Sequence, residues 1–462
     1  MRPAVLAAIP VVSLKAPELL ILHENIISGL LNANVKIISY SCDGTETERL
    51  VQRSFVQNAP SHIAIDIESP KPYLPYLHIT ILVYEGQPIA MIQDSKYGLK
   101  TARNNLFSGA SLLVMGNYVA YYEQVRNMAF KEGSPLYHRD VEKLDRQDDN
   151  AAARLFSSAS LQFTAKENPT ELGLIVFLFI FGELIDAYQN RQIVHSECIK
   201  MALRAWYFVD MWEAFIHAVP AYNKALYFLS REFTEIISIL VNGLLSLITI
   251  HRDFVPEIFP LLPWLHSTEA CKHLFGMARQ ITQEFTMMDF VHMLPKLAVK
   301  VREATLRGRQ ASSDMKAQAA GYNHTYLDSH DIDLFALASF PSVTHIQGIA
   351  AEAAEEASSL ITLLGILPDA LIGGSIKNPL PPITSWILDA SDEEFWDESG
   401  SNSLVSGDIM DDNSEGISAI AHVISQYQTA NNHQHLDSLQ IENLDRLTNA
   451  AIAISVEERI GL

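Results

Sequence analysis

The sequence predicts a predominantly α-helical protein that carries an α/β unit at its N-terminal end and a partly disordered acidic region at its C-terminal end. Three observations predict this. Two strand-like runs near the start each close on an aspartate and are followed by helix. From about Tyr118 to Ile250 no convincing strand interrupts a series of long helical patterns. Charge is also unevenly spread, since residues 351–462 hold 3 Lys+Arg against 19 Asp+Glu and so account for 16 of the 21 net negative charges.

Residues 16–32 place Leu19, Leu20, Leu22, Ile26, Ile27 and Leu30 at helical spacing, and residues 32–34 end that helix. Residues 35–40 are β-branched and strand-like and close on Ser41-Cys42-Asp43-Gly44. Residues 45–55 form a helix capped by Thr45 or Thr47. The plan repeats at 77–84 and 88–93, two strands about the turn Glu85-Gly86-Gln87, with Asp94 at the end of the second. Residues 96–107 are a helix with Lys96, Lys100 and Arg103 along one face. An aspartate at the carboxyl end of a strand is placed where open α/β sheets bind ligands, although aspartate also caps helices.

The segment 138–150 mixes acids and bases as a solvated connector or a surface helix does. Helices are expected at 151–165, 169–191, 195–217 and 221–250, with Trp206, Tyr207, Phe208, Trp212 and Phe215 as core. The most apolar windows, 172–184 and 236–250, fall short of the roughly 20 residues of a bilayer span and are edged by acids, so no membrane partner is expected. Pro10, Lys15, Pro17 and Glu18 break the apolar start in a way that argues against a signal peptide. Cys42, Cys198 and Cys271 are odd in number and far apart, as in a reducing intracellular compartment, nuclear or cytoplasmic.

Residues 263–280, PWLHSTEACKHLFGMARQ, predict a helix opening at about Thr268. Cys271, Leu274, Phe275 and Ala278 form its apolar face, and Glu269, Lys272 and Arg279 its polar one. His266, Cys271 and His273 lie close in sequence without a second pair at zinc spacing. Residues 285–309 continue as helix broken near Pro295 and carry Lys296, Lys300, Arg302, Arg307 and Arg309. Residues 308–329 read as linker, 344–364 as helix, and 391–416 as an acidic stretch with EEFWDES that cannot fold alone. Short helices at 417–428 and 436–456 follow it. The expected divisions are 1–115, 116–255, 256–310, 311–343 and 344–462.

Taken in order, SYSCDGTETERLVQ (39–52), AMIQDSKYGLKTARNNLFSGA (90–110) and HSTEACKHLFG (266–276) resemble three passages of the RNase H-like catalytic domain of cut-and-paste DNA transposases, of the P-element (THAP-type) and hAT kinds. The likeness spans roughly residues 20–300 and extends to transposon-derived fungal proteins. It implies an RNase H-like α/β remnant with a large all-α insertion and DNA as the ancestral partner. Asp43, Asp94 and Glu269 would be catalytic, with Asp43 and Glu269 as ligands of Mg2+ or Mn2+ if the site is active and no cofactor otherwise. Lys96, Lys100, Arg103 and Arg279 would be the DNA contacts. Carboxylates in such sites gather two cations that activate the nucleophile and stabilise the leaving oxygen.

The chain departs from that pattern in three places. The family's first aspartate lies on an earlier strand, yet residues 1–34 hold no aspartate, so an N-terminal truncation is expected. Tyr97 stands where the family has histidine, and alignment on Phe275-Gly276 puts Lys272 at the last carboxylate's position. An ammonium there repels cations. The expectation is therefore a degenerate, inactive transposase-derived protein. The alternatives are a protein-interaction module using the helical domain and acidic tail, and an active divalent-metal nuclease using Asp43, Asp94 and Glu269.

Overall fold

The structure is a computed structural model that describes residues 14–108, 112–142, 145–308 and 332–373. Most of the linker expected at 311–343, and everything expected beyond 373, lies outside the described residues. Helix α1 (Ala16–Asn32) leads to β1 (Ser39–Cys42), α2 (Glu46–Asn58), β2 (Ser61–Ile67), β3 (Leu77–Tyr84), β4 (Gln87–Gln93) and α3 (Ser95–Phe107). Four strands form one sheet in the order β1-β4-β3-β2. β2, β3 and β4 are an antiparallel meander, and β1 joins the free side of β4 in parallel. A parallel neighbour needs a crossover, and α2 begins it.

Alternation along the strands gives the sheet two apolar faces. Leu82 and Ile89 face α1 and α2, where Val51 and Phe55 are fully buried. Ile79, Ile81, Ala90 and Ile92 face the other way into the main core. That core is helical. After the small hairpin β5 (Leu113–Met115) and β6 (Tyr118–Ala120) come α4 (Tyr122–Ala129), α5 (Arg139–Glu142), α6 (Asp149–Leu155), α7 (Ser158–Glu167), α8 (Leu172–Gln189), α9 (His195–Ala218), α10 (Lys224–Tyr227) and α11 (Arg231–Phe254). The chain ends its described course in α12 (Glu269–Ile281), α13 (Met287–Gly308) and α14 (Val343–Leu363).

Helix α8 is apolar around its whole circumference, and every residue but Asp186 and Gln189 is buried. A helix of that kind belongs at the centre of a large core. Both α8 and α11 are long and apolar enough to cross a membrane, but 89% and 72% of those windows are buried inside the fold. Within the core, Arg204 of α9 sits between Glu183 and Glu356. Burial pushes the Glu183 carboxyl up to about 7, against the pull of Arg204.

Helix α11 lies directly on β4. A Cβ added at Gly243 would meet the Met91 carbonyl oxygen at 2.8 Å and Ile92 Cδ1 at 2.9 Å. Alanine is the better helix former by about 1 kcal/mol, but backbone cannot yield as a side chain can. Gly243→Val should therefore lower stability by about 3 kcal/mol, the upper part of the range for overpacking. Urea denaturation reads this directly, and an unchanged midpoint would mean that helix and strand are further apart.

Several expectations are corrected. The β5–β6 hairpin includes a strand beyond Tyr118, and β2 had no counterpart in the sequence reading. The helix expected at 151–165 is two helices, because Ser157 caps a new one. The segment 138–150, expected as a solvated connector or surface helix, is helical at Arg139–Glu142 and from Asp149 but is partly core, since Asp140 is buried and paired with Arg154. Helix α13 runs through Pro295 unbroken. Helix α14, assigned to the tail, is a core element whose Ala350, Ala353, Ala354 and Ala357 are fully buried. These small side chains let it approach α9 closely. The sheet and the helical region also share one continuous core, so the boundary expected near 115 does not separate two cores.

Candidate functional site

The parallel pairing of β1 with β4 sets the site. Their register matches Cys42 with Gln93, so Asp43 and Asp94 leave the sheet side by side at its carboxyl edge. Asp94 caps α3 by accepting from the Lys96 amide at 3.1 Å and is fully buried. Asp43 is more open and precedes Gly44, whose φ of +96° suits only glycine. A Cβ there would fall 1.8 Å from Gln93 Nε2. The Gln93 amide is itself buried, with no hydrogen-bond partner among the described residues.

Helix α12 closes the site from a distant part of the chain. Lys272 Nζ lies 2.6 Å from Asp43 Oδ1 and 2.6 Å from Asp94 Oδ2. The Thr268 hydroxyl donates to Asp94 Oδ2 at 2.6 Å and approaches Asp43 at 3.4 Å. Thr268 is the residue before α12, and its side chain caps no amide but donates to Asp94. Burial favours loss of the Lys272 proton. The charges and hydrogen bonds of Asp94 and Asp43 outweigh it and hold the ammonium above its usual range.

Glu269 faces elsewhere. It is paired with Lys96 at 3.0 Å and lies 3.6 Å from His273 Nε2. Among the described residues, no group of three or more His, Cys, Asp or Glu side chains is arranged to hold a metal ion. The structure thus brings Asp43, Asp94 and Lys272 together and ties Glu269 to Lys96 as a neighbouring pair. Asp43 and Glu269, expected as metal ligands, share no such group.

The expected DNA contacts divide. Lys100 and Arg103 are buried. Lys100 pairs with Asp149 at 3.1 Å, and Arg103 donates to the carbonyls of Asp145 and Asp140. Both hold the 139–149 segment onto α3 and present nothing to a phosphate. Lys96 is occupied by Glu269, while Arg279 is exposed on α12.

Around this core lies an ion network with no local sequence signature. Arg49, almost fully buried, donates to the Gly44 carbonyl at 2.5 Å and to Glu232 and Glu235 of α11. Tyr97 donates to Glu232 at 2.8 Å. Burial first, then Glu232, keep its phenol protonated well above the ordinary range. Arg49 fixes the Asp43 turn through Gly44, yet its partners lie more than 180 residues away. Charge pairing over such a distance leaves no spacing to read.

No protein-family model matches this chain, and neither a curated protein nor a solved structure gives a match.

Proposed function

We propose that the chain is a degenerate, inactive relative of RNase H-like DNA transposases, in which a lysine has taken the cation's place between two strand-end aspartates. The observation that carries this reading is the position of Lys272 Nζ, 2.6 Å from each carboxylate. Hard divalent cations sit 2.0–2.6 Å from carboxylate oxygens, so the ammonium fills the point a metal would need. A dication about 3 Å from a fixed ammonium is repelled by roughly 10 kcal/mol at an effective dielectric of 20. With Glu269 neutralised by Lys96, the site has neither the charge nor the third ligand to offset that. DNA remains the partner by ancestry alone, because two of the four expected contacts are committed to the fold.

Titrating Mn2+ into the full chain by calorimetry tests the proposal. The expected result is no stoichiometric binding at millimolar metal and no nicking of supercoiled DNA. Stoichiometric binding that Asp43→Ala abolishes, accompanied by nicking, would establish the nuclease alternative instead.

A further inference from the structure

Helices α12 and α13 form a hairpin with a small core of their own, made by Met277, Ala278, Phe290, Met293, Leu297 and Val301. Helix α13 carries a second apolar stripe on its other side. Met288 is 65% exposed, Val291 44% and Val299 57%, and with Pro295 they recur at steps of three and four residues. Two exposed cations, Lys296 beside the stripe and Arg302 at its C-terminal end, border it, and neither pairs with a carboxylate among the described residues. An apolar strip edged by charge is the usual form of a docking surface.

We infer that this face of α13 is the docking site for the chain's own acidic-aromatic segment at 389–398, DASDEEFWDE, with Phe395 and Trp396 on the stripe and the flanking acids on Lys296 and Arg302. The segment carries six acids and no base, and its two adjacent aromatics are large apolar anchors. Phe395 lies 22 residues beyond Gly373, where the described chain ends. That length spans up to about 70 Å when extended, more than the roughly 50 Å across a folded body of this size. The segment must run round the body rather than through it, and with half a circumference of about 80 Å it reaches α13 from all but the opposite pole of the surface. A helix in contact with a short anchored segment follows a familiar mode of recognition, with apolar side chains for affinity and charges for register. The inference does not depend on the ancestry of the Asp43–Asp94–Lys272 site.

Met288 reports occupancy, because a covered thioether is oxidised more slowly. The full chain and its Phe395→Ser/Trp396→Ser variant are treated with dilute hydrogen peroxide at two protein concentrations. Sulfoxide is followed by peptide mass spectrometry, with buried Met128 and Met211 as internal standards. Oxidation of Met288 should be several-fold faster in the variant, by the same factor at both concentrations, and Lys296→Glu/Arg302→Glu should remove the protection as well. Equal rates in wild type and tail variant would overturn the proposal. Protection that fades on dilution would also overturn it and assign the face to a second copy of the chain.

Discussion

Replacing Lys272 with alanine is expected to cost about 2–4 kcal/mol of stability, toward the lower side of what breaking a buried ion pair costs because Asp43 is partly open. The same change should open a divalent-cation site. Asp94 is fully buried, and its partners for the ionised form are the Lys96 amide, the Thr268 hydroxyl and Lys272. Each aspartate oxygen lies 2.6 Å from Nζ, so the two are no further apart than twice that distance. Without the ammonium, two carboxylates face one vacated point with a hydroxyl beside it, which is the donor set a hard cation prefers. Mn2+ or Ca2+ at a hundred times its dissociation constant should then return about 2.7 kcal/mol. Urea denaturation with and without metal separates the possibilities, with Lys272→Arg as the charge-conserving control. If Lys272→Ala loses stability that no divalent cation restores, the lysine is a simple structural partner and the displaced-metal reading fails.

The parts of this site that were legible in the sequence are those set by local chemistry. Asp43 and Asp94 stand where β-branched runs give way to helix, and Lys272 lies on the polar face of the helix that opens at Thr268, where alignment on Phe275-Gly276 also puts it. That β1 and β4 are neighbours has no signal in the local pattern, because two strands lie between them in sequence and parallel pairing leaves no turn to read; only the resemblance implies that Asp43 and Asp94 meet at one sheet edge. The basic face of α3 misled for a different reason. Helical spacing shows that Lys100 and Arg103 share a side, but not what covers that side, and the acidic 139–149 segment folds onto it. Pro295 leaves α13 unbroken because it lies on the exposed side of the helix, where the carbonyl it leaves unpaired can turn to water.

Acid should weaken the protein through three histidines that hold the approach to α12, and this effect is large enough to separate from the rest. His195 Nε2 donates to the Leu337 carbonyl at 2.9 Å and its ring stacks on Phe340. His251 lies between that phenylalanine and His266, with ring centroids at 5.9 Å and 6.1 Å. His266 Nδ1 and the Ser39 hydroxyl of β1 share a hydrogen bond of 2.7 Å, which joins the segment before α12 to the site's own strand. Burial, then the neighbouring His195, push His251 down to about 4, with the Phe259 backbone opposing. Burial, then His251, push His266 down to about 3. Burial also lowers His195.

Each ring is neutral when folded and takes a proton when unfolded below about 6.5, so its contribution is intact above that pH and is lost as pH falls toward the folded value. The slope is at most about 1.4 kcal/mol per pH unit for each histidine. Carboxyls work the other way across the same window. Burial raises Glu171 and Glu183 to about 7 and Asp210 to about 6, so their protonated forms favour the fold at low pH and that advantage fades as pH rises. The two sets oppose each other, and total stability between pH 5 and 6.5 should be flatter than either alone. The histidine part emerges as a difference. His251→Phe keeps the ring volume and removes one proton site, so its stability relative to wild type should improve by about 1.6 kcal/mol between pH 6.5 and 5, because the slope is half its maximum at pH 6.5 and reaches it only as the unfolded ring fills with protons. Urea titrations at four pH values read this difference, and a variant that tracks wild type in parallel would mean that His251 is protonated equally in the folded and unfolded chain.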